Sequence, residues 1–161
     1  MNGRHLGLWS VAELAAAYRS RDVSPVEVNA TVAARIAELE PAVNALADRS
    51  PDLVAAAERA AAASERRFAA GMPLGPLDGI PVTVKENLAR AGVPLRSGSA
   101  GATPRVPSAD SPVVERFSAA GAVLVGTTTM PDWGMLSSGV SSLSGITRSP
   151  VGPTLTVCGS S

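Results

Sequence analysis

Gly75-Pro76-Leu77-Asp78-Gly79-Ile80-Pro81-Val82-Thr83-Val84-Lys85-Glu86-Asn87 joins two turn signals to a short alternating run. Gly-Pro and Asp-Gly favour turns because proline presets φ and glycine tolerates positive φ. Ile80, Val82 and Val84 then alternate with Pro81, Thr83 and Lys85, the period of a strand. Pro81 is tolerable at the first strand position, where no ladder donor is needed. The strand ends on Lys85, and open α/β sheets place ligand crevices at the carboxyl ends of their strands. On this stretch alone the default is an edge-strand lysine in water, since lysine is rarely buried.

The segments downstream change that weighting. Asp110-Ser111-Pro112 opens a helix with Val113, Val114, Phe117 and Ala120 on its inner side, and Gly121 stops it. Ala122-Val123-Leu124-Val125-Gly126 is a continuous apolar run, as in a buried strand. Strand, helix, strand predicts a parallel pair, so Thr127-Thr128-Thr129 emerges on the same sheet edge as Lys85. The intervening Gly92 to Pro107 loop is too long for a plain connector, which predicts a functional or mobile segment. Met130 to Leu136 reads as one or two helical turns. Loop chemistry follows as far as Cys158-Gly159-Ser160-Ser161.

Upstream, the pattern is helical. Ser10 caps a helix in which Val11, Leu14, Ala15 and Tyr18 recur as far as Arg21. Ser24-Pro25-Val26-Glu27 is a capping box with proline at the first helical position, and Pro41 ends or follows that helix. Val43, Leu46 and Ala47 read as a short packed connection. Ser50-Pro51-Asp52 opens a third helix to about Ala70. Its alanine-rich faces are weakly distinguished, which predicts an arm packed loosely on a larger body.

Composition sets outer bounds. A length of 161 residues makes one domain the default. Lys plus Arg and Asp plus Glu balance at 14 each, so no basic field attracts nucleic acid. Hydrophobic residues make up 45% but aromatics only 3%, so the core must be built from small side chains. The single cysteine excludes an internal disulfide, fitting a reducing compartment. Met1 to Trp9 contains no apolar secretion-signal core, and no apolar run is long enough to span a bilayer. The expectation is a cytoplasmic chain that binds no membrane and no nucleic acid directly.

Elimination narrows the chemistry. The one histidine, His5, reads as a solvated terminal residue, making a Ser-His-Asp triad a poor fit. No Cys/His cluster has metal-ligand spacing. Cys158 reads as a small buried hydrophobe, and becomes a nucleophile only beside a base. The glycines from Gly98 to Gly101 lack the Gly-Lys-Ser/Thr ending of a phosphate loop. What remains is lysine with serines, in which a neutral lysine accepts a serine proton and the serine attacks a carbonyl. That chemistry requires Lys85 to lose its charge, which burial promotes.

Gly75 to Asn87 resembles the lysine motif of the amidase signature family. Ala119-Ala120-Gly121-Ala122-Val123-Leu124-Val125-Gly126-Thr127-Thr128-Thr129-Met130-Pro131-Asp132 is similar to the family's next block. Thr147-Arg148-Ser149-Pro150 and Gly159-Ser160-Ser161 resemble the approach to its glycine- and serine-rich signature. The blocks occur in order and the similarity covers essentially the whole chain. Cys158 stands where the family prefers glycine, and Glu86 where aspartate commonly follows the lysine.

The resemblance implies an α/β fold, with N-terminal helices followed by part of a mixed, largely parallel sheet covered by helices. Residues 1–161 would form the N-terminal part of a single amidase domain, 1–74 helical and 75–161 the start of the α/β core. It implies amide-bond hydrolysis by acyl transfer through a Ser-Ser-Lys triad. Lys85 would be the general base and Ser160 the bridging serine, in a cis peptide bond, that relays the proton. Met130, Leu136 and Ser137 would line the substrate pocket. The family's nucleophilic serine lies downstream of the serine pair, so these residues alone are expected to be inactive. No cofactor or metal is implied. The partner is a small-molecule amide, and a homodimer is compatible with the reading. The alternatives are the amidase-like subunit of a glutamine-dependent tRNA amidotransferase and a non-catalytic remnant or interaction module.

Overall fold

The computed structural model describes residues 6–158. Contacts divide them into two compact units. The first gathers the described residues up to Ala37 with Ser50–Val82 and Arg116–Val125. Helix α1 (Val11–Ser20) opens with a full capping box: Glu13 N–H donates to Ser10 Oγ at 3.2 Å, and Ser10 N–H donates to the Glu13 carboxylate at 2.6 Å. Helix α2 (Pro25–Val43) repeats the device with Ser24 and Glu27. It runs through Pro41 rather than stopping there. The proline falls in the last turn, where only one ladder bond is lost, and Asn44 N–H closes the end on Glu40 O at 2.8 Å.

Helix α3 (Pro51–Ala69) corrects the expectation of a loose arm. Leu53, Ala57, Ala61, Ser64 and Phe68 are buried at spacings that trace one face. Ala57 and Ala61 pack on Val123 and Val125 of strand β3 (Val123–Thr128). Small side chains let backbones approach closely, so the alanines that obscure the face in the sequence are what seat the helix. A second cluster joins Leu14, Tyr18, Val28, Phe68 and Ile80, with Trp9 packed against it. The Tyr18 and Phe68 rings meet edge-on at 5.4 Å, and Tyr18 donates its hydroxyl to Gly79 O at 3.2 Å. Burial pushes the Tyr18 phenol well above its ordinary range.

The Asp78-Gly79 turn is fixed by charge. Asp78 is fully buried and takes two bonds from the Arg67 guanidinium, at 2.6 and 2.9 Å, and one from Leu74 N–H at 2.9 Å. Burial alone would raise this carboxyl. The Arg67 bonds, the Leu74 amide and the Arg67 charge outweigh it and hold the group below the usual carboxylate range. Gly121, at φ +78°, presses its backbone on the pair: a Cβ there would lie 2.5 Å from Asp78 Oδ1.

The second unit comprises Glu38–Arg49, Thr83–Glu115 and the described residues from Gly126 onward. Strand β1 (Leu46–Asp48) forms where the sequence suggested a connection. The Glu40 carboxylate accepts the N–H groups of Ala45 and Leu46, at 3.1 and 2.7 Å, and leads the chain into it. With β2 (Pro81–Lys85) and β3 it makes a mixed sheet of order β1-β3-β2. Strand β1 pairs antiparallel with β3, Leu46 opposite Thr128. The bonds Val123 N–H to Ile80 O and Glu86 N–H to Thr128 O advance together along both strands, so β2 and β3 are parallel. Thus Lys85 and Thr128 end on the same edge, as the sequence pattern predicts.

Helix α4 (Pro112–Ala119) buries only Val114, and Val113 is exposed. The region expected to be loop contains two small hairpins, β4 (Val140–Ser141) with β5 (Gly145–Ile146) and β6 (Arg148–Ser149) with β7 (Gly152–Thr156). Asp132–Gly134 is a single 3-10 turn with Trp133 in the left-handed region at φ 55°. Among the described residues, no helix is long and apolar enough to cross a membrane.

Candidate functional site

The end of β2 is fastened from its neighbour in sequence. Glu86 is buried, and its Oε1 accepts Gly98 N–H at 2.7 Å while Gly98 O accepts the Ser141 hydroxyl at 2.6 Å. Gly98, at φ +69°, lies so close to the Met130 and Pro131 carbonyls that no side chain fits there. Ser141 Oγ also accepts Leu143 N–H at 3.1 Å and Ser144 N–H at 2.9 Å. Asp132 accepts both the Ser142 hydroxyl and Ser142 N–H, the latter at 2.7 Å, and Ala100 N–H donates to Ser142 Oγ at 3.0 Å. The bonds from Ser142 hold the Asp132 carboxyl below its ordinary range. The long Gly92 to Pro107 loop is therefore pinned at its tip, and Leu95 and Arg105 exchange backbone bonds of 2.8 and 3.1 Å across its base.

The same second unit contains a cleft of about 370 Å³. Lys85, Thr128, Thr129, Met130, Thr147 and Cys158 line it, with Ala45, Pro131 and Val157 supplying apolar wall. Thr129 Oγ1 lies 2.7 Å from Thr147 Oγ1, which in turn donates to Asn44 O at 2.8 Å. Each member is held by its backbone: Thr129 N–H donates to Ala45 O and Thr147 N–H to Gly139 O. Cys158 is exposed rather than buried. It stands in an antiparallel bridge with Ser138 that brings it to the cleft wall. Among the described residues, no group of three or more His, Cys, Asp or Glu side chains is placed to hold a metal ion.

Of the candidates that the sequence offers, Lys85 and Met130 line this cleft. Leu136 and Ser137 are exposed and are not part of its wall. Ser160 and His5 lie outside the described residues. The sequence does not single out Asn44 and Thr147 as a pair. They are 103 positions apart, and no local pattern announces a contact at that range.

The end of the lysine strand and the start of the Cys158-Gly159-Ser160-Ser161 segment therefore meet at one cleft. Residues 27–161 match the family described as Amidase. The chain belongs to the amidase family. Among its curated relatives is a glutamyl-tRNA(Gln) amidotransferase subunit of Symbiobacterium thermophilum, 39% identical over 88% of this chain and 28% of its own length. An indoleacetamide hydrolase of Bradyrhizobium diazoefficiens is 35% identical over 95% of this chain and 29% of its own. Of the solved structures, the peptide amidase of Stenotrophomonas maltophilia superposes with a TM-score of 0.77 at 30% identity, over 89% of this chain and 30% of its own. The chain thus spans under a third of the length of these amidase-family relatives.

Proposed function

We propose that this chain serves amide-bond hydrolysis by acyl transfer, with Lys85 as the general base and Ser160 as the proton relay. The observation that carries the reading is the shared cleft: Lys85 lines it, and so does Cys158, which precedes Ser160 by two positions in the sequence. In this mechanism the Lys85 amine takes a proton through Ser160 from the nucleophilic serine. That serine attacks the amide carbonyl, and the proton returns to the leaving nitrogen. By the family resemblance, the nucleophile and the oxyanion-binding amides belong to the part of the family's length that these 161 residues do not span. Met130, Pro131 and Val157 give the cleft its apolar wall, which suits the body of a small carboxamide.

The test is turnover of a small carboxamide by the protein as its own cells make it. Lys85→Ala should reduce kcat by about 10³-fold, the usual contribution of a positioned base. The 161 residues by themselves should release no ammonia. Turnover that survives Lys85→Ala would remove the proposal. A second reading, the amidase-like subunit of a glutamine-dependent tRNA amidotransferase, is favoured by the relative's name at 39% identity. Ammonia release from glutamine that depends on a partner protein would select it.

A further inference from the structure

The hydroxyl chain beside Lys85 has a fixed proton order. The Asn44 carbonyl can only accept, so the single Thr147 Oγ1 proton is committed to it at 2.8 Å. Thr147 Oγ1 can then only accept from Thr129, and the 2.7 Å contact fixes the Thr129 proton in that direction. What Thr129 Oγ1 retains is lone pairs alone, and Thr129 lines the cleft. The arrangement is rigid at every member. Thr129 N–H is tied to Ala45 O at 2.9 Å, Thr147 N–H to Gly139 O at 2.7 Å, and the Asn44 side chain to Ser144 O at 2.6 Å. Thr147 is a buried residue, which favours keeping its hydroxyl on these two partners.

We propose that Thr129 is a specificity-determining residue that accepts a hydrogen bond from an N–H of the substrate amide. This deepens the amidase reading and rests on it. A hydroxyl that can rotate serves amides and esters alike, by donating to one and accepting from the other. A hydroxyl whose proton is held elsewhere serves only a donor. The ligand class is therefore primary or secondary carboxamides, and tertiary amides leave a desolvated lone pair facing no donor.

The test is titration of the isotope-labelled full chain with benzamide and with N,N-dimethylbenzamide, followed by NMR. Benzamide should bind about tenfold more tightly, the worth of one net hydrogen bond, with shifts centred on Thr129, Met130 and Lys85. Thr129→Val, which keeps the shape and removes the lone pairs, should erase the difference, and Thr129→Ser should restore it. Thr147→Val should also weaken the preference without touching Thr129, because it releases the Thr129 proton to point into the cleft. Equal affinities for the two probes, shifts elsewhere, no benzamide binding, or an unchanged preference in Thr129→Val would each overturn the assignment. The two readings fail separately. Selective binding with no Lys85-dependent turnover removes the hydrolase and leaves the recognition. Lys85-dependent turnover without selectivity does the reverse.

Discussion

The two units are held by different means. The first is organised by apolar clusters, Tyr18 and Phe68 in one and Ala61 and Val123 in the other, with Asp78 and Arg67 as a charged pair at the turn. The second relies on hydroxyls and carboxylates bonded to backbone: Glu40 at the head of β1, Glu86 on Gly98, Ser141 on three loop groups, Asp132 on Ser142. Apolar packing is undirected and roughly proportional to the area buried, so it gives stability. Hydrogen bonds add little net stability but fix direction, and direction is what a binding cleft needs. The cleft is in the second unit.

The widest separation should come from Lys85→Ala. On the proposed role of Lys85, a 10³-fold loss in turnover corresponds to about 4 kcal/mol on the barrier, and the melting temperature should change little. A variant that fails to fold would show that the second unit does depend on its site for stability. Next comes Asp78→Ala, which leaves Arg67 without its partner and should cost about 3 kcal/mol of unfolding free energy while sparing benzamide binding. Its pH dependence has a definite sign. The folded carboxyl titrates below its unfolded value near 3.9, so the pair contributes fully above that pH and its contribution fades as pH falls through the folded value. Melting curves of the two proteins should converge below about pH 4. Curves that remain parallel to pH 2 would contradict the ion-pair account.

Ala61→Leu should cost about 2 kcal/mol by overpacking against Val123, since Ala61 is 0% exposed. Ser141→Ala in the second unit removes three hydrogen bonds at a buried hydroxyl and should cost about 1.5 kcal/mol. The two variants differ in what they loosen. Hydrogen exchange should accelerate across α3 in the first and at Gly98 and Ser99 in the second. Uniform acceleration in either would erase the contrast. The smallest effect is Ser10→Ala, which opens the α1 capping box for about 1 kcal/mol.

The parts of this arrangement visible in the sequence are those encoded locally. The Gly75-Pro76 and Asp78-Gly79 turns and the alternation through Val84 announce β2, and serine followed by proline announces α2 and α3. The family resemblance places Lys85 in a motif from the residue pattern alone. Three features are not local. Strands of two residues, such as β4 and β5, span a single period of their own pattern, too short to show alternation. The alanine face of α3 shows no contrast until Val123 is set against it. The Asn44–Thr147 contact exists only because hairpins far along the chain fold back, and the proton order at Thr129 follows from that contact. Leu136 and Ser137 illustrate the opposite case: close in sequence to Met130, they are exposed and do not line the cleft.

The chain has two tryptophans, and they fall one to each unit: Trp9 packs against the Tyr18 cluster, while Trp133 stands exposed on its left-handed turn. Each region thus carries its own optical reporter. Iodide should quench the emission of Trp133 before that of Trp9, and single Trp→Phe variants would let each fluorescence signal be followed alone. Denaturant curves that coincide for the two reporters would show one cooperative transition, and curves that part would resolve the apolar and the hydrogen-bonded region as separate melting events.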